Sequence, residues 1–200
     1  MEKFVMLTAI AAPLMKSNVD THFIIRIERC TGTPRNEIGR YAFEMARYLP
    51  DGKDNPAFVL NEPRYRGAQI LVCGEFFGTG SSREMAVWAL AGMGLRCLIA
   101  PSFGQIFFGN CFQNGVLPIV LPAATVETLA AEAAAPGARP FTVDLAKQVI
   151  NGKIRFEVAP RRKKMLLEGQ DEIGLTLELE PKIASFQADD RRKRPWIYPS

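Results

Sequence analysis

GEFFGTGSSREMAVWALAGMGLRCLIAPSFGQIFFGNCFQNGVLP, Gly74–Pro118, is the stretch that decides the fold. It opens on a glycine-rich turn and runs through two helix-length segments separated by a short apolar run. With the residues on either side it reads as a strand at Ala68–Cys73, a helix at Ser82–Ala91 and a strand at Leu95–Ala100. After the Pro101-Ser102 turn, with Ser102 as N-cap, come a helix at Phe103–Gln113 and a strand at Val116–Leu121. The strands are short and continuously apolar, the pattern of strands covered on both faces. Strand–helix–strand–helix–strand with such strands predicts a parallel sheet with right-handed crossovers.

Upstream, Lys3–Ala12 reads as one strand, Pro13–Thr21 as a loop and Phe23–Ile27 as a short apolar run. A turn-prone stretch, Thr31–Glu37, precedes Ile38–Leu49, whose apolar residues recur at helical spacing. Ala57–Leu60 reads as a short extended piece. Downstream, Thr125–Ala134 predicts an alanine-rich helix closed by Pro136-Gly137. Phe141–Asp144, Gln148–Ile150 and Lys153–Val158 predict short strands, with Asn151-Gly152 as a hairpin turn. Lys163–Glu168 and Glu172–Glu180 predict helices. Residues 181–200 form a basic C-terminal tail, expected to be partly disordered, on a single domain spanning residues 1–180.

Composition narrows the function classes. Hydrophobic residues make up 48% of the 200, enough for a globular core. The net charge of +4 comes mainly from Arg161–Lys164 and Arg191–Arg194. Both clusters lie far from the glycine-rich turn and lack interleaved stacking aromatics, so they read as solvated or partner-facing surface rather than a nucleic-acid site. The four cysteines, Cys30, Cys73, Cys97 and Cys111, form no CxxC pair, and Cys73 and Cys97 sit inside apolar runs. Free structural thiols in a cytosolic setting are expected, with no metal site and no cluster on this chain. The N-terminus shows no signal-peptide h-region, and no apolar run approaches the ~20 residues of a membrane span.

The chemistry concentrates at Gly78-Thr79-Gly80-Ser81-Ser82-Arg83-Glu84. Read plainly, Ser81-Ser82-Arg83-Glu84 is a capping box, with Ser81 as N-cap and Glu84 reaching back. That reading leaves Gly78, Gly80 and Arg83 unexplained. Glycines let backbone N–H groups crowd a ligand. A helix N-terminus favours an anion, and an arginine fork holds a carboxylate in one orientation. The stretch lacks the P-loop lysine and the third glycine of a dinucleotide fingerprint. The single histidine, His22, offers no evident serine-hydrolase triad. Chemistry on a small organic acid fits best.

Several separated motifs then appear in order: Asn18-Val19-Asp20-Thr21, Gly78 to Glu84, Ala100-Pro101-Ser102-Phe103, Phe108-Gly109-Asn110, Leu117-Pro118, and late in the chain Ala159-Pro160-Arg161-Arg162 and Asp171 to Leu177. Over nearly its whole length the chain resembles the small subunits of 3-isopropylmalate dehydratase, in the aconitase superfamily. The resemblance implies an α/β fold, the aconitase-type swivelling β/β/α domain with a mostly parallel central sheet. It implies a hydro-lyase of leucine biosynthesis, active only with a large subunit that carries a 4Fe–4S cluster. It assigns Ser81 as the base that takes the carbon-bound proton, and Ser82 and Arg83 as holders of a substrate carboxylate. Gly80, Thr79, Asp20, Thr21, His22 and Arg35 are expected around the same small hydroxy-acid substrate.

Departures from the family cluster near that site. The family usually reads Asn-Val-Asp-Thr-Asp, and here the last position is His22. Thr79 stands where a cysteine is usual, Met85 where a histidine is usual, and Arg26 where a proline is usual. The segment Arg29–Gly39, which in the family helps select the substrate side chain, lacks the usual Arg-Thr-Gly. Arg26, Arg29 or Arg35 could therefore receive a more polar substituent, as in methylmalate- or homoaconitate-type substrates. A non-catalytic anion-binding module on the same fold is a second alternative, and nucleic-acid binding by the tail a third.

Overall fold

The computed structural model describes residues 1–198 and contains two four-stranded sheets. The strands are β1 (Met6–Ala9), β2 (Ala11–Leu14), β3 (Ile70–Cys73), β4 (Cys97–Ala100), β5 (Leu117–Val120), β6 (Phe141–Asp144), β7 (Val149–Ile150) and β8 (Ile154–Arg155). The helices are α1 (Thr21–Ile24), α2 (Ile27–Cys30), α3 (Glu44–Arg47), α4 (Glu84–Gly92), α5 (Gln105–Gln113), α6 (Ala123–Ala134), α7 (Pro160–Glu168), α8 (Glu172–Leu177) and α9 (Glu180–Lys193). One sheet is parallel in the order β2-β3-β4-β5, and the other antiparallel in the order β1-β6-β7-β8. The parallel sheet is the one expected from Gly74–Pro118 and its neighbours.

The strand pleat sorts the core into two layers. On β3, Ile70 and Val72 join Val126 and Leu129 of α6 and Val143 of the second sheet. Leu71 and Cys73 face the opposite way, toward Ala86, Val87 and Leu90 of α4 and Ile24 of α1. Leu98 and Ile99 of β4 divide the same way, and both are fully buried. Burying each such aliphatic side chain contributes about 1.5–3 kcal/mol. The layering of sheet, sheet and helices is the β/β/α arrangement that the resemblance implied.

Several local expectations differ from the structure. The segment expected as one strand, Lys3–Ala12, divides at Ile10 into β1 and β2, which belong to different sheets, and β2 takes in Pro13. The helix expected over Ile38–Leu49 breaks into a 3-10 turn at Ile38–Tyr41 and the single turn of α3. Between them Phe43 takes a left-handed conformation (φ +57°). Its N–H donates to Ile24 O, and its buried ring meets Phe23 and Phe58. Tertiary burial of that ring overrides the helical periodicity. Val59–Asn61 is a 3-10 turn rather than extended. Asn151-Gly152 forms the expected turn, with both residues at positive φ. The region expected to be partly disordered carries α9, which begins at Glu180; Pro199 and Ser200, the end of the expected tail, lie outside the described residues.

Candidate active site

The site is built where loops leave the carboxyl ends of β2, β3 and β4, the usual ligand edge of a parallel sheet. Two isolated parallel bridges, Asp20 to Thr79 and Phe77 to Phe103, tie the three loops together. Thr21 N–H donates to Thr79 O (2.9 Å), and Gly78 N–H donates to Val19 O (2.7 Å). Gly78 has φ +76°, and a Cβ there would land inside the Phe107 ring. Gly104 presses against Gly78 O so closely that no side chain fits between them. The first glycine of the motif is therefore required by backbone approach.

The capping box expected of Ser81 and Glu84 is not formed. Helix α4 starts at Glu84, two residues later than that motif requires, and its N-cap is Arg83. Ser81 and Ser82 are exposed, and neither hydroxyl hydrogen-bonds among the described residues. Likewise, no backbone N–H from Gly80 to Met85 donates within the described chain. Glu84 and Met85, which start this nine-residue helix, and the four residues before them thus keep free N–H donors, an arrangement suited to an anion.

The Arg83 side chain reaches toward the α1 segment and is little neutralised there. Its Nη1 donates to Ile25 O (3.5 Å) and lies 3.3 Å from His22 Nδ1. A guanidinium has no acceptor, so in this contact the acceptor is His22 Nδ1. Arg83 Nε is buried without a partner, and among the described residues no carboxylate lies within 4.0 Å of the guanidinium. With His22 as its one side-chain neighbour within hydrogen-bond distance, the Arg83 charge has no carboxylate partner among the described residues.

The other expected residues divide into two groups. Asp20 is exposed and caps α1, its Oδ1 accepting from Phe23 N–H (2.6 Å). Thr21 is buried, and its hydroxyl donates to Ser81 O (2.9 Å). Gly80 (φ +88°) passes beside both, and Thr79 is half-buried in the bridge. Together with His22, Ser81, Ser82 and Arg83 these form one cluster. Arg35 stands apart: its Nη2 donates to Asn114 Oδ1 (2.6 Å), and its guanidinium stacks 4.8 Å from the Trp88 ring. Arg26 and Arg29 both pair with Glu44, and Arg26 also with Glu28. Met85 packs on the core, an apolar side chain on an apolar helix face.

Sequence reasoning missed Asn114 and gave Ser102 a different role. Ser102 was expected to cap the second helix, but Gly104 holds that position, and Ser102 Oγ accepts from Phe76 N–H (2.9 Å). Phe76 there has φ +54° and is 51% exposed beside the loop. Asn114, at the far end of α5, had no signal linking it to Glu84, because the pair comes together only by folding. Among the described residues no three His, Cys, Asp or Glu side chains converge as metal ligands. Burial pushes the Cys73, Cys97 and Cys111 thiols up, so these are poor thiolate donors. No helix among the described residues is long and apolar enough to cross a membrane.

Three parallel-sheet loops meeting at a glycine-lined helix mouth, on a β/β/α frame, are the arrangement of an aconitase-type swivel domain, and a family model of the aconitase C-terminal domain matches residues 1–124. A second model, the C-terminal domain of the 3-isopropylmalate dehydratase small subunit, matches residues 172–200. The chain is 51% identical to the 3-isopropylmalate dehydratase small subunit of Paramagnetospirillum magneticum, over 98% of this chain and 100% of the relative. It is 49% identical to that of Gluconacetobacter diazotrophicus, over 98% and 97%. A crystal structure of 3-isopropylmalate dehydratase from Methanocaldococcus jannaschii shares the fold, with a TM-score of 0.63 at 22% identity, covering 91% of this chain and 99% of the other. The chain belongs to the family of 3-isopropylmalate dehydratase small subunits, hydro-lyase components of the aconitase superfamily.

Proposed function

We propose that this chain pairs with a large subunit, as a cytoplasmic heterodimer, to interconvert 2- and 3-isopropylmalate by dehydration and rehydration. The observation that carries the reading is the exposed, unbonded Ser81 hydroxyl in a segment whose backbone N–H groups are free, two residues before an Arg83 that has no carboxylate partner. The substrate carboxylate is held by Arg83, the Ser82 hydroxyl and the N–H groups at the mouth of α4. Ser81, as the alkoxide, takes the proton from the carbon beside that carboxylate. The C–H electron pair becomes the C=C bond as hydroxide leaves the neighbouring carbon. Return of water with the opposite orientation gives the isomer, and Ser81 gives its proton back. The surrounding N–H donors stabilise the alkoxide by hydrogen bonds arranged before reaction.

The departing hydroxide requires a Lewis acid, the chemistry that a 4Fe–4S cluster on the large subunit would supply. This chain's own residues do not fit such a group, since no three ligand side chains converge among the described residues and the buried thiols are hard to ionise. The isopropyl substrate is favoured over a more anionic one because the spare charge of Arg26 and Arg29 is already matched by Glu28 and Glu44.

The test is co-purification with the large subunit encoded in the same genome, anaerobic cluster reconstitution, and measurement of the unsaturated acid by its absorbance. Wild type should turn over 2-isopropylmalate, and Ser81→Ala should lose about 10²–10⁴-fold in kcat. Equal rates for the two would remove Ser81 as the base.

A further inference from the structure

Glu84 is the first residue of α4, at the helix mouth where the function proposed above seats a substrate carboxylate. Left free, it would compete for the same N–H groups and oppose the incoming charge. In the structure it is engaged from the end of α5 instead. Asn114, the C-cap of α5, donates from Nδ2 to Glu84 Oε1 (2.9 Å). The same Nδ2 donates to Asn110 O (2.9 Å), and Oδ1 accepts from Arg35 Nη2 (2.6 Å). Arg35 is steadied in turn over the Trp88 ring, one helical turn along α4 from Glu84. Both amide protons of Asn114 and one lone pair of its oxygen are thus engaged, which fixes its orientation.

We propose that Asn114, held by Arg35 and Asn110, is a positioning residue that keeps the Glu84 carboxylate out of the anion pocket formed by Arg83 and the N–H groups from Gly80 to Met85. This deepens the function proposed above and rests on it. The chain Trp88–Arg35–Asn114–Glu84 explains why a sequence that spells a capping box does not make one. It also gives Arg35 a part at the site without contact to substrate.

The experiment uses the reconstituted two-subunit enzyme with 2-isopropylmalate. Asn114→Ala should raise KM about tenfold with kcat within about twofold of wild type, because the freed Glu84 competes with ground-state and transition-state binding alike. Glu84→Gln alone should leave KM at or below wild type. The double variant Asn114→Ala/Glu84→Gln should return KM to the Glu84→Gln value, a rescue that a merely structural role would not give. Asn114→Asp, which keeps the shape and the Arg35 contact but repels Glu84, should raise KM in the same way and be rescued by Glu84→Gln. A KM raised equally in single and double variants, or unchanged in both Asn114 variants, overturns the role of Asn114. Activity retained by Ser81→Ala instead overturns the reading on which it rests.

Discussion

The buried hydroxyl of Thr21 donates to the carbonyl oxygen of Ser81 at 2.9 Å, joining residues 60 positions apart. The bond fixes the peptide that carries the proposed base, although Thr21 itself is only 2% exposed and cannot reach a ligand. Thr21→Val keeps the shape and removes the donor. It should lower stability by about 1–2 kcal/mol in urea unfolding. It should lower kcat roughly tenfold in the reconstituted enzyme, since small displacements of a reacting group are costly. A stability loss with full kcat would show that the bond only holds the loop.

Ser81 makes no cap, so its removal should separate catalysis from folding. A serine N-cap replaced by alanine costs about 1 kcal/mol. Here Ser81→Ala should leave the thermal midpoint of the isolated chain unchanged within error while activity with the large subunit is lost. A drop of several degrees would mean that the hydroxyl caps α4 in solution.

Gly78 should be among the least replaceable residues of the loop. Its φ of +76° disfavours any side chain, and Phe107 occupies the place of a Cβ. Gly78→Ala should destabilise by about 2–4 kcal/mol, combining backbone strain with overpacking. Gly32→Ala, at a similar φ of +80° but with open space around it, should cost only the backbone share. Equal unfolding midpoints for the two variants would refute the packing contribution.

The thiols should report the fold. Cys73, Cys97 and Cys111 are buried with their thiols pushed up, and Cys30 is half-buried, also pushed up by desolvation. A raised thiol is less ionised at a given pH, so its alkylation lags. In the native chain iodoacetamide should modify Cys30 alone. The rate should still climb with pH where an ordinary cysteine, of pKa ~8.5, has levelled off. All four should react in denaturant. Early labelling of a second cysteine would show that the core opens locally.

Local chemistry made much of this protein readable. The short apolar strands around Gly78–Arg83 could only be covered on both faces, so a parallel sheet with helical crossovers followed, and Asn151-Gly152 could make its turn from its own backbone preferences. The serine pair, the arginine and the glycines suggested an anion site because those groups act through functions each residue carries itself. Contacts between distant segments were not readable in the same way. Phe43 left its helical pattern to bury its ring between Phe23 and Phe58. Ile10 became a division between sheets, and α4 began at Glu84 instead of after Ser81. The same holds for Thr21 beneath Ser81, His22 against Arg83, and Asn114 on Glu84. Periodicity and turn propensity are properties of neighbours along the chain, whereas these choices were settled by energies that exist only once remote segments are packed together.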